Sequence, residues 1–257
     1  MPYQISAFGL SDIGLMRTNN EDVWTELPEF NFFALADGMG GHLAGEIAAD
    51  EAVSALCKLV KKSFGEGKQK VDFDRAYQQI FSGIEEVNRL VHKKGRTDEE
   101  LRGMGTTLCC MYFHEEGLIY GHVGDSRIYR LRNERLKQMT KDHSLLEEML
   151  DTGEWDPDGE SEFKYKNVIT RAIGTEPNVE PTVDIDEITD GDLYLMCSDG
   201  VSDLLSFEEI EKILNHSHNL QSSAQGLIRS ALERGGNDNA TVVLMKVKSI
   251  NEKKDLS

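Results

Sequence analysis

The sequence predicts an α+β fold in which helix pairs cover β-sheets. Apolar strand patterns and helical patterns arrive in blocks: a strand, two helices, a run of strands, two more helices and a last strand. A parallel doubly wound fold would instead alternate strands with helices. The chain has 257 residues, of which 39% are hydrophobic, enough for one large domain with its own core. We expect a single domain over residues 1–250 and a disordered tail over 251–257.

The first block is a strand followed by two helices. The apolar run Phe32 to Ala36 predicts the strand, and the first helix is predicted from about Ala44 to Lys62. The second helix carries apolar residues spaced by four and three, which form one stripe along a helix. The stripe consists of Phe73, Tyr77, Ile80, Ile84, Val87 and Val91. This pattern favours core packing against a sheet over a coiled-coil face, and we interpret Gly95 to Arg102 as a polar linker.

The second block contains short apolar segments separated by turn residues. The predicted strands are Thr106 to Phe113, Leu118 to Val123, Ser126 to Leu131 and Leu136 to Met139. Closely spaced strands joined by short turns predict a β-meander.

The remaining elements are read from helix-start signals and one last apolar run. A short helix is predicted from Ser144 to Leu150, before a polar, irregular stretch from Asp151 to Lys166. Two capping-box patterns, Ser206 with Glu209 and Ser222 with Gln225, predict the start of two further helices. The run Ala240 to Val247 predicts the last strand.

Composition narrows the functional class. The net charge of −18 argues against nucleic acid, whose phosphates would be repelled. The four cysteines lie in apolar segments without a Cys-x-x-Cys pair, which is typical of buried, reduced thiols in a cytosolic protein. No signal peptide is evident at the N-terminus, and no apolar run approaches the roughly 20 residues that span a bilayer. We expect a soluble, cytoplasmic monomer that does not bind membranes.

Three aspartates lie where apolar runs end or begin. Asp37 and Asp199 each follow a predicted strand and precede glycine, and Asp238 precedes the last strand. Strands of one sheet end at a common rim, so these carboxylates can converge, and converged carboxylates suit hard cations such as Mg²⁺, Mn²⁺ or Ca²⁺. Each Asp-Gly alone is more often a hairpin turn. The first one, however, opens a stretch of three glycines in five residues and precedes a helix, which favours a metal-dependent hydrolase centre.

A polar segment, Arg17 to Asp22, follows the first likely strand. The guanidinium of Arg17 could clamp a phosphate through two oxygens, and Glu21 and Asp22 could complete a cation site. A charged surface loop is the alternative reading of the same residues.

Eight blocks in order give the chain a resemblance to the type 2C, metal-dependent Ser/Thr protein phosphatases, and in particular to their compact bacterial members. The blocks are Arg17 to Asp22, Ala36 to His42, Gly103 to Thr107, Val123 to Arg127, Thr140 to Ser144, Ile169 to Gly174, Cys197 to Gly200 and Asn237 to Thr241. The resemblance runs from about Gly9 to Val247. It implies a central β-sandwich flanked by antiparallel helix pairs, with two Mn²⁺ or Mg²⁺ ions at one end of the sandwich and hydrolysis by a metal-bridging hydroxide.

The resemblance also implies the metal ligands. Asp37 would bridge the two ions, and the carbonyl of Gly38 would bind one of them. Asp199 and Asp238 would complete the ligands of one ion.

Further roles follow for residues around this centre. Glu21 and Asp22 would hold metal or its waters, and Arg17 would bind the substrate phosphate. Asp125 and Asp203 match positions that bind a weaker third ion in many bacterial members. Because Asp125 sits between two predicted strands, a hairpin turn stays open as its alternative role.

Two departures from the family pattern affect the chemistry. Met39 stands where some members have a histidine proposed as general acid, which leaves His42 or a metal-bound water as the candidate acid. The mobile flap beside the active site corresponds to about residues 143–168. Within it, Phe163 to Lys166 replaces the His-Pro-x-Arg of many relatives, so their substrate preference does not carry over.

The resulting hypothesis is a phosphatase acting on phosphoserine and phosphothreonine in proteins and opposing a bacterial Ser/Thr kinase. One alternative is a phosphatase-like module that only docks phosphoproteins. Such a module would be expected to lack Asp37, Asp199 or Asp238, and all three are present. A second alternative is a phosphatase in sigma-factor partner switching, which would be expected to carry additional sensory domains.

Overall fold

The computed structural model describes residues 3–40, 44–65, 71–155, 165 and 168–250. The predicted tail, 251–257, lies outside the described residues. The strands are β1 (Tyr3–Asp12), β2 (Asp22–Leu27), β3 (Phe32–Met39), β4 (Gly105–Thr106), β5 (Leu108–Phe113), β6 (Leu118–Val123), β7 (Arg127–Arg132), β8 (Arg135–Gln138), β9 (Thr182–Asp186), β10 (Leu193–Cys197) and β11 (Ala240–Ser249). The helices are α1 (Ala44–Gly65), α2 (Phe73–Thr97), α3 (Leu145–Thr152), α4 (Asp199–Ser202), α5 (Phe207–His216) and α6 (Leu220–Glu233).

Two antiparallel sheets form the centre of the molecule. One has the strand order β1-β11-β10-β7-β8, and the other has the order β2-β3-β5-β6-β9, with the short β4 paired to β3. Side chains from both sheets share one buried cluster, which includes Leu35 and Met111 from the second sheet and Met196 and Val243 from the first. The sheets therefore pack face to face, and the β-sandwich implied by the resemblance is confirmed.

Helices cover the outer face of each sheet. Helices α1 and α2 pack on the second sheet, where Ile80 and Ile84 share a core with Ile119. Helices α5 and α6 pack on the first sheet, where Leu227 shares a core with Leu244. Successive residues of a strand point to opposite faces, so β11 can serve the helix-facing core with Leu244 and the inner core with Val243. The four-layer α+β architecture is confirmed.

Helix α2 matches its apolar stripe but ends later than expected. Ile80, Ile84, Val87 and Val91 are all buried, and the two aromatic members of the stripe pack partly buried against the same core. The linker predicted over 95–102 is wrong, because the helix continues to Thr97 and a 3-10 turn, Glu99–Leu101, follows it.

The predicted meander is wrong in one respect. Strands β5 and β6 form a hairpin in one sheet, whereas β7 and β8 form a hairpin in the other. The chain changes sheets at Gly124 and Asp125, where Gly124 has φ +102° and a side chain would meet Thr107 at 2.7 Å. Asp125 therefore does not lie in a hairpin turn. The sequence pattern of two successive hairpins is the same whether both hairpins join one sheet or each joins a different sheet, which is why a single meander was predicted.

The capping-box predictions have different outcomes. Helix α5 starts as expected, with Ser206 and Glu209 exchanging both capping hydrogen bonds. Helix α6 starts three residues earlier than predicted, because Asn219 is the cap and Ser222 is its partner in the box. Asn219 competes equally well for the N-cap position, since its side chain also accepts a backbone N–H.

The cysteines are free thiols, and Cys109, Cys110 and Cys197 are buried. Burial raises the pKa of Cys110 and of Cys197 to about 12, so neither is a reactive thiolate. Over the ranges that the structure describes, no helix has both the length and the apolar character needed to span a membrane.

Candidate metal and phosphate site

Two aspartates face each other at one end of β2 and β3. Asp22 and Asp37 are direct partners in the antiparallel register. The backbone of Asp37 is fixed on its other side: its N–H donates to Thr107 Oγ1 at 2.9 Å, and its carbonyl accepts from the Thr107 N–H at 2.8 Å. The hydroxyl of Thr106 donates to the same carbonyl at 2.8 Å. The Asp37 carboxyl is thus held by a backbone with little freedom to move.

The second sheet brings its own carboxyls to the same end. Asp199 opens α4 two residues after the end of β10, and Asp238 lies two residues before β11. Ser198, the N-cap of α4, joins the two sheets, because its hydroxyl donates to Asp22 Oδ2 at 2.7 Å and accepts from the Thr241 N–H at 3.0 Å. Asp37, Asp199 and Asp238 therefore converge as their positions after or before strands predicted.

The electrostatics of the cluster are those of crowded, desolvated carboxyls. Burial and then the neighbouring carboxyls, Asp22 and Asp199 first, raise the pKa of Asp37 well above its ordinary value. Burial, Asp125 and Asp203 raise the pKa of Asp199 to about 7. Burial raises the pKa of Asp22 to about 6, although hydrogen bonds from hydroxyls act against it. Such a cluster is stable at neutral pH only if protons or cations neutralise it.

Two carboxylate oxygens of the cluster are buried without a hydrogen-bond partner, Asp22 Oδ1 and Asp199 Oδ1. An unsatisfied buried oxygen is costly, and hard divalent ions bind such oxygens. No three Asp, Glu, His or Cys side chains in the described ranges are arranged to hold an ion by themselves. The residues present thus fit an open site, in which main-chain oxygens and water would supply the remaining ligands.

Two glycines let Glu21 reach this site. A side chain on Gly38 would lie 2.2 Å from the Gly45 carbonyl oxygen, and one on Gly45 would lie 2.2 Å from Glu21 Oε2. The Gly38 N–H also donates to the Glu21 carbonyl at 3.1 Å. The end of β3, the start of α1 and the Glu21 carboxylate therefore meet at a distance that only glycine allows. The sequence patterns singled out Gly38 and missed Gly45, whose signal is its place at the start of the helix that follows the glycine-rich stretch.

Asn239 is a second residue whose role was missed. Its Oδ1 accepts from the Glu21 N–H at 2.8 Å, and its Nδ2 donates at 2.9 Å to the carbonyls of Ile13 and Asn19. Asn239 thereby holds the loop that carries Glu21 against the loop that carries Asp238. It lies in one of the recognised sequence blocks, but this long-range contact has no local signal.

Arg17 lies at the rim of the cluster. Its Nη2 donates to Asp238 Oδ2 at 2.5 Å, and 47% of its side chain is exposed. Desolvation lowers the pKa of Arg17, but Asp238, Glu21 and Asp37 outweigh it and leave the pKa raised. The guanidinium therefore stands between the acidic cluster and solvent, where an incoming anion would meet it.

Asp125 and Asp203 lie on the Asp199 side of the cluster. Burial and the nearby carboxylates, Asp142 before Asp203, raise the pKa of Asp125 to about 6. Asp203 follows α4, and its N–H donates to the Asp199 carbonyl at 2.8 Å. The structure thus brings both residues close to Asp199.

The candidates for the general acid and the flap are only partly described. Met39 pairs with Gly105 at the end of β3, and His42 lies outside the described residues. Of the predicted flap, the structure describes 143–155, 165 and 168, whereas 156–164 and 166–167 lie outside the described residues.

Two stacked histidines pack beside the base of the flap. The rings of His122 and His143 are 4.4 Å apart at 20°, and His143 Nδ1 accepts from the Gly124 N–H at 3.2 Å. Burial lowers the pKa of His122 to about 4, and burial followed by the field of His122 lowers the pKa of His143 to about 3. Both rings are neutral at physiological pH.

The buried pair His122 and His143 predicts that the folded chain loses stability at acidic pH. A histidine whose pKa is lower in the folded state than in the unfolded state stabilises the fold above its ordinary pKa of about 6.5. That stabilisation is lost as the pH falls from 6.5 toward the folded-state pKa. In His122→Phe, which keeps an aromatic ring but cannot protonate, the melting temperature should fall less between pH 7 and pH 5 than in the wild type. The exposed His218→Phe is the matched control. Equal pH slopes for His122→Phe and the wild type would contradict the assignment.

The comparisons with known proteins agree with this geometry. The sequence model of the family Protein phosphatase 2C matches residues 17–234. Protein phosphatase PhpP of Streptococcus pneumoniae is 36% identical over 247 residues, which cover 95% of this chain and 96% of that protein.

Two solved structures are similar along almost the whole chain. The crystal structure of the Mycobacterium tuberculosis serine/threonine phosphatase PstP/Ppp has a TM-score of 0.84 at 36% identity, over 95% of this chain and 99% of that one. The PstP catalytic domain in complex with two manganese ions has a TM-score of 0.82 at 35% identity, over 96% of this chain and 100% of that one. The resemblance inferred from the eight sequence blocks is confirmed. The chain belongs to the protein phosphatase 2C family of metal-dependent protein phosphatases.

Proposed function

We propose that this chain hydrolyses phosphoserine and phosphothreonine in proteins at the carboxylate cluster, with two Mn²⁺ or Mg²⁺ ions. The observation that carries the proposal is the convergence of buried carboxyls from both sheets, two of them with unsatisfied oxygens, next to the exposed guanidinium of Arg17. A pair of such ions, when bound, acidifies a shared water and neutralises charge on the transferring phosphoryl group.

The central residue of this proposal is Asp37. Its carboxyl lies in the electrostatic field of Asp22, Asp199 and Asp238, so it can face ions held from either sheet. We assign Asp199, Asp238 and the carbonyl of Gly38 to the ions directly. Glu21 and Asp22, which the hydrogen bonds of Asn239 and Ser198 hold in place, would bind metal or its waters.

Arg17 would bind the substrate phosphate. A guanidinium has five N–H donors, so Arg17 can keep its bond to Asp238 and still offer donors to two phosphate oxygens. A phosphate held in this way would lie beside the carboxylate cluster.

A third, weaker ion would bind at Asp125 and Asp203, beside Asp199, with water as its remaining ligands. After burial, Asp125 and Asp203 raise the pKa of Asp199, and Asp203 is one of the carboxyls that raise the pKa of Asp125, which supports a shared ion. We also propose that residues 1–250 form one domain and that the protein is cytoplasmic, which is consistent with its buried thiols. A Ser/Thr kinase would produce the phosphorylated substrate. The monomeric state stays a prediction.

Arg17→Ala tests the assignment of the phosphate-binding residue. Removal of a charge-assisted clamp should raise KM for a phosphothreonine peptide roughly tenfold or more, with a smaller loss in kcat, since the metal ligands stay in place. The measurement is steady-state kinetics with Mn²⁺, and Arg229→Ala, an exposed arginine on α6, is the matched control.

Different results would contradict the role of Arg17 and the phosphatase activity itself. An unchanged KM with a large loss in kcat would remove Arg17 from the phosphate site. A wild-type protein that hydrolyses neither the peptide nor p-nitrophenyl phosphate with Mn²⁺ would overturn the proposed function itself.

A further inference from the structure

Three large apolar side chains lie exposed in the loop that immediately precedes Arg17, the proposed phosphate-binding residue. Ile13, Leu15 and Met16, which we name the apolar ridge, are 40%, 65% and 72% exposed. None of them belongs to the three buried apolar clusters of the described residues. Scattered exposed hydrophobic residues are common, but a group of them next to a binding residue indicates a contact surface.

The apolar ridge is built on a fixed loop. Gly14 has φ +79°, and any side chain there would lie 2.2 Å from the carbonyl oxygen of Asp238. The Gly14 N–H donates to Asp12 Oδ1 at 2.8 Å, and the Leu15 N–H donates to the Gly236 carbonyl at 2.8 Å.

The carbonyl of Ile13 completes the attachment, because it accepts from Asn239 Nδ2 at 2.9 Å. The ridge is therefore fastened to the same loop that carries Asp238, and its position relative to the carboxylate cluster is set by the fold. A preorganised surface loses little conformational entropy on binding.

We infer that the apolar ridge binds a large apolar side chain next to the phosphorylated residue of a phosphoprotein. The inference rests on the proposed function. Arg17 would hold the phosphate, and Met16 and Leu15 are its first and second neighbours along the chain. An extended peptide advances about 3.3 Å per residue, so the side chain one or two positions from the phosphoresidue lies within reach of the ridge.

Continuity with the phosphate site favours this occupant over a second copy of the chain. Ile13 to Arg17 form one uninterrupted stretch of sequence on one fixed loop, so a phosphoprotein bound at Arg17 would lie next to the ridge.

The test compares two phosphothreonine peptides that differ only in the residues flanking the phosphothreonine, leucine in one and serine in the other. Wild-type protein with Mn²⁺ should show a several-fold higher kcat/KM for the leucine peptide. Met16→Ser should lose most of that preference, and a double variant with Leu15→Ser should lose all of it. Turnover of p-nitrophenyl phosphate, which has no flanking residues, should stay within about twofold.

The matched control is Ile185→Ser, which removes a 58% exposed isoleucine from β9 in the other sheet. It should keep the full preference. Leu15 and Leu232 both lie next to Gly236, so the double variant also tests packing there, and the single Met16→Ser variant decides the result, with its melting temperature measured alongside.

The outcomes separate the inference from the proposed function. Equal kcat/KM for the two peptides in the wild type, or the same preference in Met16→Ser, would overturn the ridge while leaving the phosphatase intact. So would a change of oligomeric mass in Met16→Ser without a change in peptide preference. Absence of Mn²⁺-dependent hydrolysis of every substrate would overturn the proposed function instead.

Discussion

Asp37→Asn should lower kcat by several orders of magnitude while leaving the fold in place. The substitution keeps the size of the side chain, and the Asp37 backbone keeps its bonds to Thr107 and Thr106. What is lost is the negative charge at the centre of the cluster, and with it the proposed hold on both ions. Water activation and charge neutralisation should then fail together. The measurement is kcat for p-nitrophenyl phosphate and for a phosphothreonine peptide at saturating Mn²⁺.

The same variant should not be less stable when no metal is present. Burial and neighbouring carboxyls raise the pKa of Asp37, so its charged form is unfavourable in the folded chain. A neutral amide removes that repulsion, and the melting temperature in EDTA should be equal to that of the wild type or higher. Asp184→Asn, an exposed aspartate on β9, is the control for the change in charge.

The pair of variants Asp37→Asn and Arg17→Ala also distinguishes an enzyme from a docking module. An enzyme loses kcat in the first variant and affinity in the second. Near-normal hydrolysis by Asp37→Asn, together with loss of phosphoprotein binding by Arg17→Ala, would favour docking without turnover.

The parts of the fold that the sequence predicted are those with a local signal. The stripe from Ile80 to Val91 has helical spacing, and it is buried as expected. The choice of sheet for each hairpin has no such signal, because the chain changes sheets at Gly124, whose close approach to Thr107 joins residues 17 positions apart in sequence. Strand β9 was missed because it is short and lies at the edge of its sheet, where few positions need to be apolar.

In the candidate site, too, the sequence predicted the residues that have a local signal and missed those that act through long-range contacts. Asp37, Asp199 and Asp238 could be named because each one stands beside an apolar run, and the ends of strands share a rim. Gly45 and Asn239 could not be assigned roles, because one acts through a close approach to Glu21 and the other through bonds to residues more than 200 positions away in sequence. The sequence thus indicated the chemically active groups better than it indicated the residues that hold them.

Removal of divalent ions should abolish turnover completely. Every proposed ligand is an oxygen, so Mn²⁺ or Mg²⁺ should restore activity after EDTA. Ca²⁺ should bind but support little turnover, since its larger and looser coordination shell orients and acidifies water poorly. Full activity in EDTA would contradict the two-ion reading of the cluster.

Binding of the ions should also be visible without any reaction. An ion at 100 times its dissociation constant stabilises the folded chain by about 2.7 kcal/mol, which for a domain of this size is roughly 5–10 °C in melting temperature. The rise in melting temperature on ion binding should be larger at pH 8 than at pH 6. Because the pKa of Asp199 is raised from 3.8 to about 7 in the folded chain, its contribution to stability without metal is complete below pH 3.8, falls as the pH rises and is lost above about pH 7. At pH 6 the ion must also displace a proton.

Asp199→Asn should reduce the Mn²⁺-dependent rise in melting temperature, while Asp184→Asn should keep it. An undiminished rise in Asp199→Asn would place the ion elsewhere.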